Sequence, residues 1–461
     1  MKTTVIPLAL LALLGGCAVG PDYQRPALEM PKQIGAADRP AAVPALAWER
    51  YFTDPALRPL IEDALANNRD LRVAVARVEE ARALYGIQKA DALPSFSAVG
   101  AGAASRVPAT VNGGSAATIS RRYDANLGLL SYELDFWGRV RRLNEAAQAS
   151  YFASEAAQKS FRAGLIADVV SGYYGAQALS EQLAFSRKTE VARAETLRLV
   201  QRRLDVGVAG RLELLEAQSA LETSQAVSAQ LARQKDNARH ALSVLVGRVV
   251  GDDEIISGDA TLLEKRPLPL AIPAGLPSDI LLGRPDVEQA EQQLVAANAN
   301  IGAARAAFFP KVTLLGSAGT ASAELGDLFG SGSGAWSFLP TVSMPIFDGG
   351  RTRSGLALAE ARKVGAVAGY EKAIQVAFKE VADVLSDQQW LDAQLEAQQR
   401  LIRSQTARMD LAEQRYRDGL TNYLEFLIAQ RDYYASQQTL IEARRARLTV
   451  AAQAYKALGG D

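Results

Sequence analysis

One stretch decides the fold class: Trp336-Ser337-Phe338-Leu339-Pro340-Thr341-Val342-Ser343-Met344-Pro345-Ile346. Every second residue is apolar, and this period of two is typical of a β-strand with one apolar face. Eleven residues at about 3.4 Å each, tilted near 45°, rise about 26 Å, which matches the apolar band of a membrane β-barrel. We therefore predict a membrane strand. Its membrane-facing residues are Trp336, Phe338, Val342, Met344 and Ile346, with the two aromatic side chains at the interfacial girdle.

Three further strands follow from weaker patterns. Val312–Ala318 alternates after Pro310, and Ser95–Ala103 and Tyr123–Asp135 are the equivalents nearer the N-terminus. The segments between strands are rich in Gly, Ser and Thr and are expected to be loops. These loops are Ala104–Arg122 and Ala321–Ala335. On pattern alone, a soluble insert of two hairpins remains an alternative.

The number of strands constrains the oligomeric state. Four strands cannot stand alone in lipid, because their open edges would leave backbone groups unpaired. Two chains would supply eight strands, whose barrel interior is filled by side chains. Three chains would supply twelve, the smallest multiple here that leaves a path for water. We therefore expect a homotrimer if the strands form a pore.

The chain also contains an internal duplication, which is best sought before fold assignment. Matching anchors occur in the same order in both halves. Their offset is 216 residues in the helices before the strands and 212 residues in the long segments after them. The anchor pairs are Asp70 and Asp286, Pro94 and Pro310, Gly207 and Gly419, and Gly247 and Gly459. We infer one unit of about 200 residues, present twice.

Long helices fill the remainder of each unit. No proline occurs between Pro108 and Pro267 or after Pro345. The 67 residues of Thr352–Asp418 would form a helix of roughly 100 Å. A seven-residue apolar spacing within it predicts coiled-coil packing. The spaced residues are Leu395, Ile402, Met409 and Tyr416. For the helices taken alone, a soluble bundle is the alternative.

The N-terminus carries a secretory signal. Met1-Lys2 is followed by an apolar run, Val5–Leu14, which is too short to span a bilayer, and then by Gly15-Gly16-Cys17. Leu14–Cys17 resembles the bacterial lipobox, in which the cysteine becomes the lipid-modified first residue. We therefore expect residues 1–16 to be a signal peptide and Cys17 to carry the lipid anchor. An ordinary signal peptide with an incidental cysteine is the alternative.

Composition excludes several classes of function. The 51 basic and 51 acidic side chains lack the positive charge expected of a nucleic-acid-binding protein. One Cys and one His exclude an internal disulfide and the usual zinc and iron–sulfur sites. His240 is isolated on a helix, and the Gly-rich segment 330–334 lacks the lysine of a phosphate-binding loop. We expect no enzyme, no cofactor and no metal site.

An ordered set of motifs resembles the outer membrane factor family, the TolC-like channels, and in particular its NodT-type efflux lipoproteins. The motifs are Cys17–Pro26, Trp48–Pro55, Asn67–Leu71, Arg284–Asp286, Ala306–Pro310 and Arg415–Gly419. The resemblance implies a homotrimer lipid-anchored in the bacterial outer membrane, with a long helical tunnel through the periplasm. It also implies a periplasmic adaptor protein and an inner-membrane pump as partners, outer-membrane lipids around the barrel, and passive export of drugs or other small molecules.

The same resemblance assigns candidate gate residues to the two turns between long helices. In the family these turns form a periplasmic tip, where the pore constricts and the adaptor binds. The candidate residues here are Gly207, Leu212, Glu213, Glu216, Tyr416, Gly419, Leu424 and Glu425. Ile428, the repeat equivalent of Glu216, stands where many relatives have Asp, so the sequence departs from the family pattern there. We expect replacement of Glu213 and Glu425 by Ala to make the channel leakier.

The expected fold is therefore a mixed α and β membrane protein with internal duplication. It combines a periplasmic α-helical coiled-coil tunnel, four β-strands per protomer in a trimeric twelve-stranded outer-membrane β-barrel, and a small equatorial domain. The expected divisions are a signal peptide at 1–16, a lipidated N-terminal segment and equatorial belt at 17–60, a first repeat at 61–250 with its hairpin at 95–135, an equatorial linker at 251–284, and a second repeat at 285–461 with its hairpin at 311–346.

Two other functions remain open at this level. A protein-secretion exit duct would have the same architecture, because substrate choice belongs largely to the inner-membrane pump. A structural coiled-coil lipoprotein that spaces the envelope layers is the other, and the Trp336–Ile346 strand argues against it. The leading interpretation is the outer-membrane exit duct of a tripartite efflux pump.

Overall fold

The computed structural model describes residues 19–27, 30–35, 47–113, 116–255, 262–267 and 272–460. The predicted signal peptide and Cys17 lie outside these residues. The helices are α1 Trp48–Tyr51, α2 Leu57–Asn67, α3 Arg69–Ala90, α4 Ala109–Asn112, α5 Arg139–Asp205, α6 Arg211–Val246, α7 Asp252–Ile255, α8 Pro285–Ala306, α9 Arg351–Arg417 and α10 Tyr423–Ala457. The strands are β1 Gln33–Ile34, β2 Ser95–Val107, β3 Thr118–Leu134, β4 Leu276–Pro277, β5 Lys311–Ser322 and β6 Gly334–Ser343.

The same order of elements occurs twice along the chain. Helices α3 and α8 each have 22 residues, and α5 and α9 each have 67. Helices α6 and α10 have 36 and 35 residues. The chain folds into two compact units, each of which contains segments from both halves of the sequence. The first unit is residues 1–28, 77–155 and 289–371, and the second is residues 29–76, 156–288 and 372–461.

The first unit contains an antiparallel four-stranded sheet in the order β2-β3-β5-β6. Residues directly opposite in such a sheet share a face, so the register identifies one apolar face that crosses all four strands. A bulge in β3 between Leu129 and Tyr132, where Ser131 has φ +33°, keeps this face apolar after Leu129. Residues of this face include Phe96 and Ala98 in β2, Leu127, Leu129, Tyr132 and Leu134 in β3, Leu314 and Ala318 in β5, and Trp336, Phe338 and Val342 in β6.

The predicted strand ends need correction. The first hairpin is longer than the sequence suggested, because the ladder continues through Ser105 opposite Ser120 to Val107 opposite Thr118. The loops accordingly shorten to residues 108–117 and 323–333. Strand β6 ends at Ser343, so the assignment of Met344 and Ile346 to it is wrong. Ser343 pairs with the first residue of β5, and no residue of β5 lies beyond it to continue the ladder.

The second unit is a mixed helical and β structure. Strands β1 and β4 form a two-stranded antiparallel sheet, and α1 packs with the C-terminal part of α10 through aromatic rings. The ring centroids of Phe52 and Tyr455 lie 5.4 Å apart. A buried ion pair joins Asp54 to Arg266 at 3.2 Å, and Tyr174 of α5 donates its hydroxyl hydrogen to Asp54 at 3.3 Å.

Two equivalent joints close the helical part of this unit. The Asn68 amide donates to the carbonyl of Leu245 at 2.9 Å, and the Arg284 guanidinium donates to the carbonyl of Ala457 at 2.7 Å. These residues are repeat equivalents, so each joint ties the start of a 22-residue helix to the end of α6 or α10. Gly247, at φ +79°, lies so close to Asn67 that a Cβ would come within 2.6 Å of its backbone. Only glycine fits there.

Among the described residues, no helix is both long and apolar enough to cross a membrane.

Arg284 is the most buried cation of the second joint, since its side chain is 2% exposed and pairs with Asp286 and Glu380 at 2.8 and 2.5 Å. We expect Arg284→Met to destabilise the protein by about 3 kcal/mol, because it leaves carboxylates without their partner. The exposed pair Lys379–Asp383 provides a matched control, and Lys379→Met is expected to cost less than about 1 kcal/mol. Thermal unfolding of the purified variants followed by circular dichroism measures both. Equal shifts in the two midpoints would contradict the prediction.

Candidate functional site at the turns between the long helices

Both turns end a 67-residue helix with a glycine in the left-handed region. Gly207 has φ +78° and Gly419 has φ +72°. In each turn the backbone N–H one residue after the glycine donates to a carbonyl of the last helical turn. Val208 donates to Arg203 at 2.9 Å, and Leu420 donates to Arg415 at 2.8 Å. This is the Schellman pattern of helix termination, in which a left-handed glycine ends the helix.

An aromatic cluster lies beside the second turn. Tyr416 stacks on Phe426 with centroids 5.7 Å apart and ring planes 5° from parallel, and both contact Tyr423 at 5.5 and 6.2 Å. All three side chains are buried, together with small residues of neighbouring helices. The repeat equivalents near the first turn are Leu204, Arg211 and Leu214. The cluster therefore belongs to the second repeat only.

Tyr416 links α9 to both helices that flank the first turn. Its hydroxyl donates a hydrogen bond to the Glu213 carboxylate of α6. The Arg203 guanidinium of α5 lies 4.8 Å from the centre of the Tyr416 ring, within range of a cation–π interaction. The structure therefore brings together two of the predicted gate residues, Tyr416 and Glu213, and adds a third group that the sequence did not single out.

The tyrosines of this cluster stay neutral at physiological pH. Burial raises the pKa of Tyr423 to about 12. Burial, with the hydrogen bond to Glu213 next in size, raises the pKa of Tyr416 well above its ordinary value. In both cases the native state retains the proton, so the tyrosines weaken the fold only as the pH rises above about 10, the pKa of tyrosine in an unfolded chain. Tyr416 thus retains the proton that it donates to Glu213 over the physiological range.

The other predicted residues are placed differently. Leu212 and Leu424 are 71% and 50% exposed, and neither joins the buried cluster. Glu216 is half-buried one turn along α6 from Glu213. The Glu425 carboxylate accepts from the Thr421 hydroxyl, and its backbone N–H donates to the Asn422 side chain at 3.0 Å. Glu425 therefore takes part in capping its own helix rather than in a contact with α5 or α6.

Sequence reasoning missed Arg193, which joins three helices as Tyr416 does. Arg193 of α5 donates to the Gln430 side chain of α10 at 3.1 Å and to the Ala220 carbonyl of α6 at 2.7 Å. Burial lowers the pKa of Arg193. No local signal marks it, because an arginine on a long polar helix usually faces water. The aromatic cluster had a visible signal, since Tyr423 and Phe426 are three residues apart and lie on one helix face.

In the described residues, no group of His, Cys, Asp and Glu side chains could hold a metal ion.

A sheet with one continuous apolar face and two pairs of long helices define an outer-membrane transport protein. A family model described as outer membrane efflux protein matches residues 60–248 and 276–460. The chain therefore belongs to the outer membrane efflux protein family. It is an efflux protein of the outer membrane, from a family of transport proteins rather than of enzymes.

Individual relatives are similar over almost their whole length. The probable efflux pump outer membrane protein TtgC of Pseudomonas putida is 41% identical over 470 residues, covering 100% of this chain and 96% of TtgC. Outer membrane protein OprJ of Pseudomonas aeruginosa is 40% identical over 459 residues, covering 99% and 95%. The crystal structure of the open state of the MtrE outer membrane channel of Neisseria gonorrhoeae matches with a TM-score of 0.84 at 36% identity, covering 96% of this chain and 98% of MtrE.

Proposed function

We propose that three copies of this chain form a twelve-stranded barrel in the outer membrane and an exit duct for a tripartite efflux pump. One observation carries this proposal: the apolar face of the sheet ends at two open edges, β2 and β6. These edge strands have 13 and 10 residues, and among the described residues neither has a partner on its outer side. In lipid such edges are too costly to leave open, so pairing of β6 with β2 of the next copy supports the trimer.

The exported compounds are drugs or other small molecules, and the partners are a periplasmic adaptor and an inner-membrane pump. The similarity to TtgC, a probable efflux pump outer membrane protein, supports this assignment. The turns supply a surface suited to the adaptor. Val206, Val208 and Leu420 beside the two glycines are 73%, 65% and 68% exposed, so the turns offer apolar area to a partner. The equatorial domain then corresponds to the mixed part of the second unit, and Cys17 carries the lipid anchor.

The gate lies at the turns, where the bond from Tyr416 to Glu213 stabilises the closed arrangement of the helices. This bond joins two predicted gate residues of different repeats, Tyr416 of α9 and Glu213 of α6. Opening the helix ends separates these groups, because α9 and α6 belong to different helix pairs. Gly207, Gly419, Leu212, Leu424 and Glu216 complete the tip around this contact. Glu425 is assigned a capping role instead.

The trimer is testable with engineered cysteines, because Cys17 is the only native cysteine. One cysteine replaces a residue in the middle of β2, such as Gly100, and a second scans residues 337–341 of β6. At one register, oxidation is expected to give covalent dimers and trimers on a non-reducing gel, since the two edges would be adjacent in neighbouring copies. The matched control keeps the β2 cysteine and moves the second to β5, which already has two partner strands in its own chain. Absence of the trimer band at every register would contradict the barrel.

The gate is testable with two conservative variants and one control. Tyr416→Phe keeps the ring stack and removes only the hydroxyl donor, and Glu213→Ala removes the acceptor. A hydrogen bond to a charged group is worth about 1.5–3 kcal/mol, so each variant should raise the open fraction by roughly tenfold or more. The double variant should match either single one, because both remove the same bond. Single-channel recording in planar bilayers measures the open fraction together with the conductance. Glu425→Ala, the matched control at the repeat-equivalent position, should leave the conductance unchanged, and an equal increase there would contradict the assignment.

The efflux function is testable in cells. Deletion of the coding sequence should make the strain several-fold more susceptible to at least one exported compound, and the intact chain supplied in trans should restore resistance. Susceptibility to antibiotics and organic solvents is the measurement. Unchanged susceptibility to every compound, together with loss of a secreted polypeptide, would indicate a protein-secretion duct instead. No change in either property would contradict the transport function.

A further inference from the structure

The segment that follows the predicted anchor lies along α8. We call residues 19–27 the N-terminal strap. Its contacts with α8, in chain order, are Gly20 with Gly302, Pro21 with Asn298, and Tyr23 and Arg25 with Glu291. Successive strap residues thus contact successively earlier residues of the helix. The strap runs antiparallel to α8, and the residues that precede it lie toward the C-terminal end of that helix.

Close packing holds the start of the strap in place. Gly20 has φ +134°, and a Cβ on it would lie 2.5 Å from the Cα of Gly302. The backbone N–H of Val19 donates to the carbonyl of Trp137 at 3.1 Å. Two peptide units separate Val19 from Cys17, and they span at most about 7 Å. The strap therefore starts beside Trp137, only two peptide units after the predicted anchor residue in the sequence.

A cavity of about 470 Å³ adjoins Trp137 at the junction of the sheet and the helices. This volume falls in the range of small-molecule pockets, roughly 300–1,000 Å³. Trp137 forms a fixed wall, because its ring stacks on Phe309 at 4.6 Å and its indole N–H donates to the Pro310 carbonyl at 2.8 Å. The apolar part of the lining includes Leu134, Trp137, Ala306, Phe309, Met344 and Pro345. The cavity thus lies at the C-terminal end of α8, next to the start of the strap.

The charged residues of the lining satisfy one another. The Glu133 carboxylate accepts hydrogen bonds from two guanidinium nitrogens of Arg139, at 2.8 and 2.6 Å. It also pairs with the Lys311 ammonium at 3.0 Å. Asp135 accepts from two backbone N–H groups at the start of α5, at 3.1 and 2.8 Å. Two carboxylates therefore balance two cations, and each already has a partner. A phosphate headgroup would have to displace one of these bonds, whereas an uncharged acyl chain would not.

We propose that this cavity holds an acyl chain of the lipid carried by Cys17. The proposal rests on the lipidation of Cys17 that forms part of the proposed function. The strap starts beside Trp137, a wall of the cavity, and the apolar walls accept a hydrocarbon chain. The charged lining residues already have partners, which favours an uncharged chain over a phosphate headgroup. The anchor then fixes the N-terminus to the foot of the sheet as well as to the membrane.

Photocrosslinking tests the occupant directly. Cells grown with a diazirine-bearing fatty acid incorporate it into the lipid anchor, and the full-length protein is purified, irradiated and mapped by mass spectrometry. Crosslinks are expected within residues 133–139, 306–311 and 343–345. Met344→Glu places a charge in the cavity and should reduce these crosslinks at least fivefold. Phe347→Glu is the matched control, since Phe347 is exposed and does not line the cavity. Ala306→Trp fills the cavity and gives a second test, because it should also reduce these crosslinks.

Three results would overturn the proposal. Lipidated protein crosslinked only to membrane lipid would mean that the acyl chain lies in the bilayer. Equal labelling of the cavity by a photoreactive phospholipid, in a variant with Cys17 replaced behind an ordinary signal peptide, would identify a membrane phospholipid as the occupant. An intact mass without any lipid would remove the lipidation itself. The intact mass separates this last result from the other two.

Discussion

The constraint on which the rest of the structure depends is backbone hydrogen bonding in a medium without water. A sheet in lipid has to pair every edge N–H and C=O group, because each unpaired group costs several kcal/mol. Within the described residues of one chain, β2 and β6 leave one side of each strand unpaired, although their apolar face continues across all four strands. In the proposed trimer, pairing of β6 with β2 of the next copy would satisfy these groups without any new element. The proposed pore follows from that closure, because twelve strands leave a path for water where eight do not.

Duplication supplies matching backbones and leaves room for different chemistry. The two helix joints correspond closely, with Asn68 bonded to Leu245 and Arg284 bonded to Ala457. The turns are also alike, since each ends in a Schellman motif at a left-handed glycine. The side chains around the turns differ, because the second repeat alone carries the buried aromatic cluster that holds Tyr416 against Glu213. Equivalent positions therefore serve a common fold, and the contact proposed as the gate arises between the repeats rather than within one of them.

The predictions succeeded where a pattern is local and failed where it depends on a distant partner. The apolar face of β6 and the extent of the long helices were predicted correctly, because side-chain period and the absence of proline are local properties. The first hairpin had a weak signal, and the bulge at Ser131 explains why. One extra residue shifts the alternation by one position, so the sequence of β3 does not read as a continuous two-residue period although its face stays apolar. Met344 and Ile346 continue the pattern of β6 but have no partner strand.

The sequence by itself determined the duplication, the membrane-type face of β6, the glycines that end the long helices, and the lipobox that precedes the strap. Each of these depends on neighbouring residues alone, through the side-chain period, the length of the segment or the backbone freedom of glycine. Tertiary structure alone decided where each strand stops, that Arg203 and Glu213 meet at Tyr416, and that the strap starts beside Trp137, which lines a cavity. These depend on which residues, up to hundreds of positions apart, come into contact. A single helical arginine or glutamate carries no local mark of its future partner.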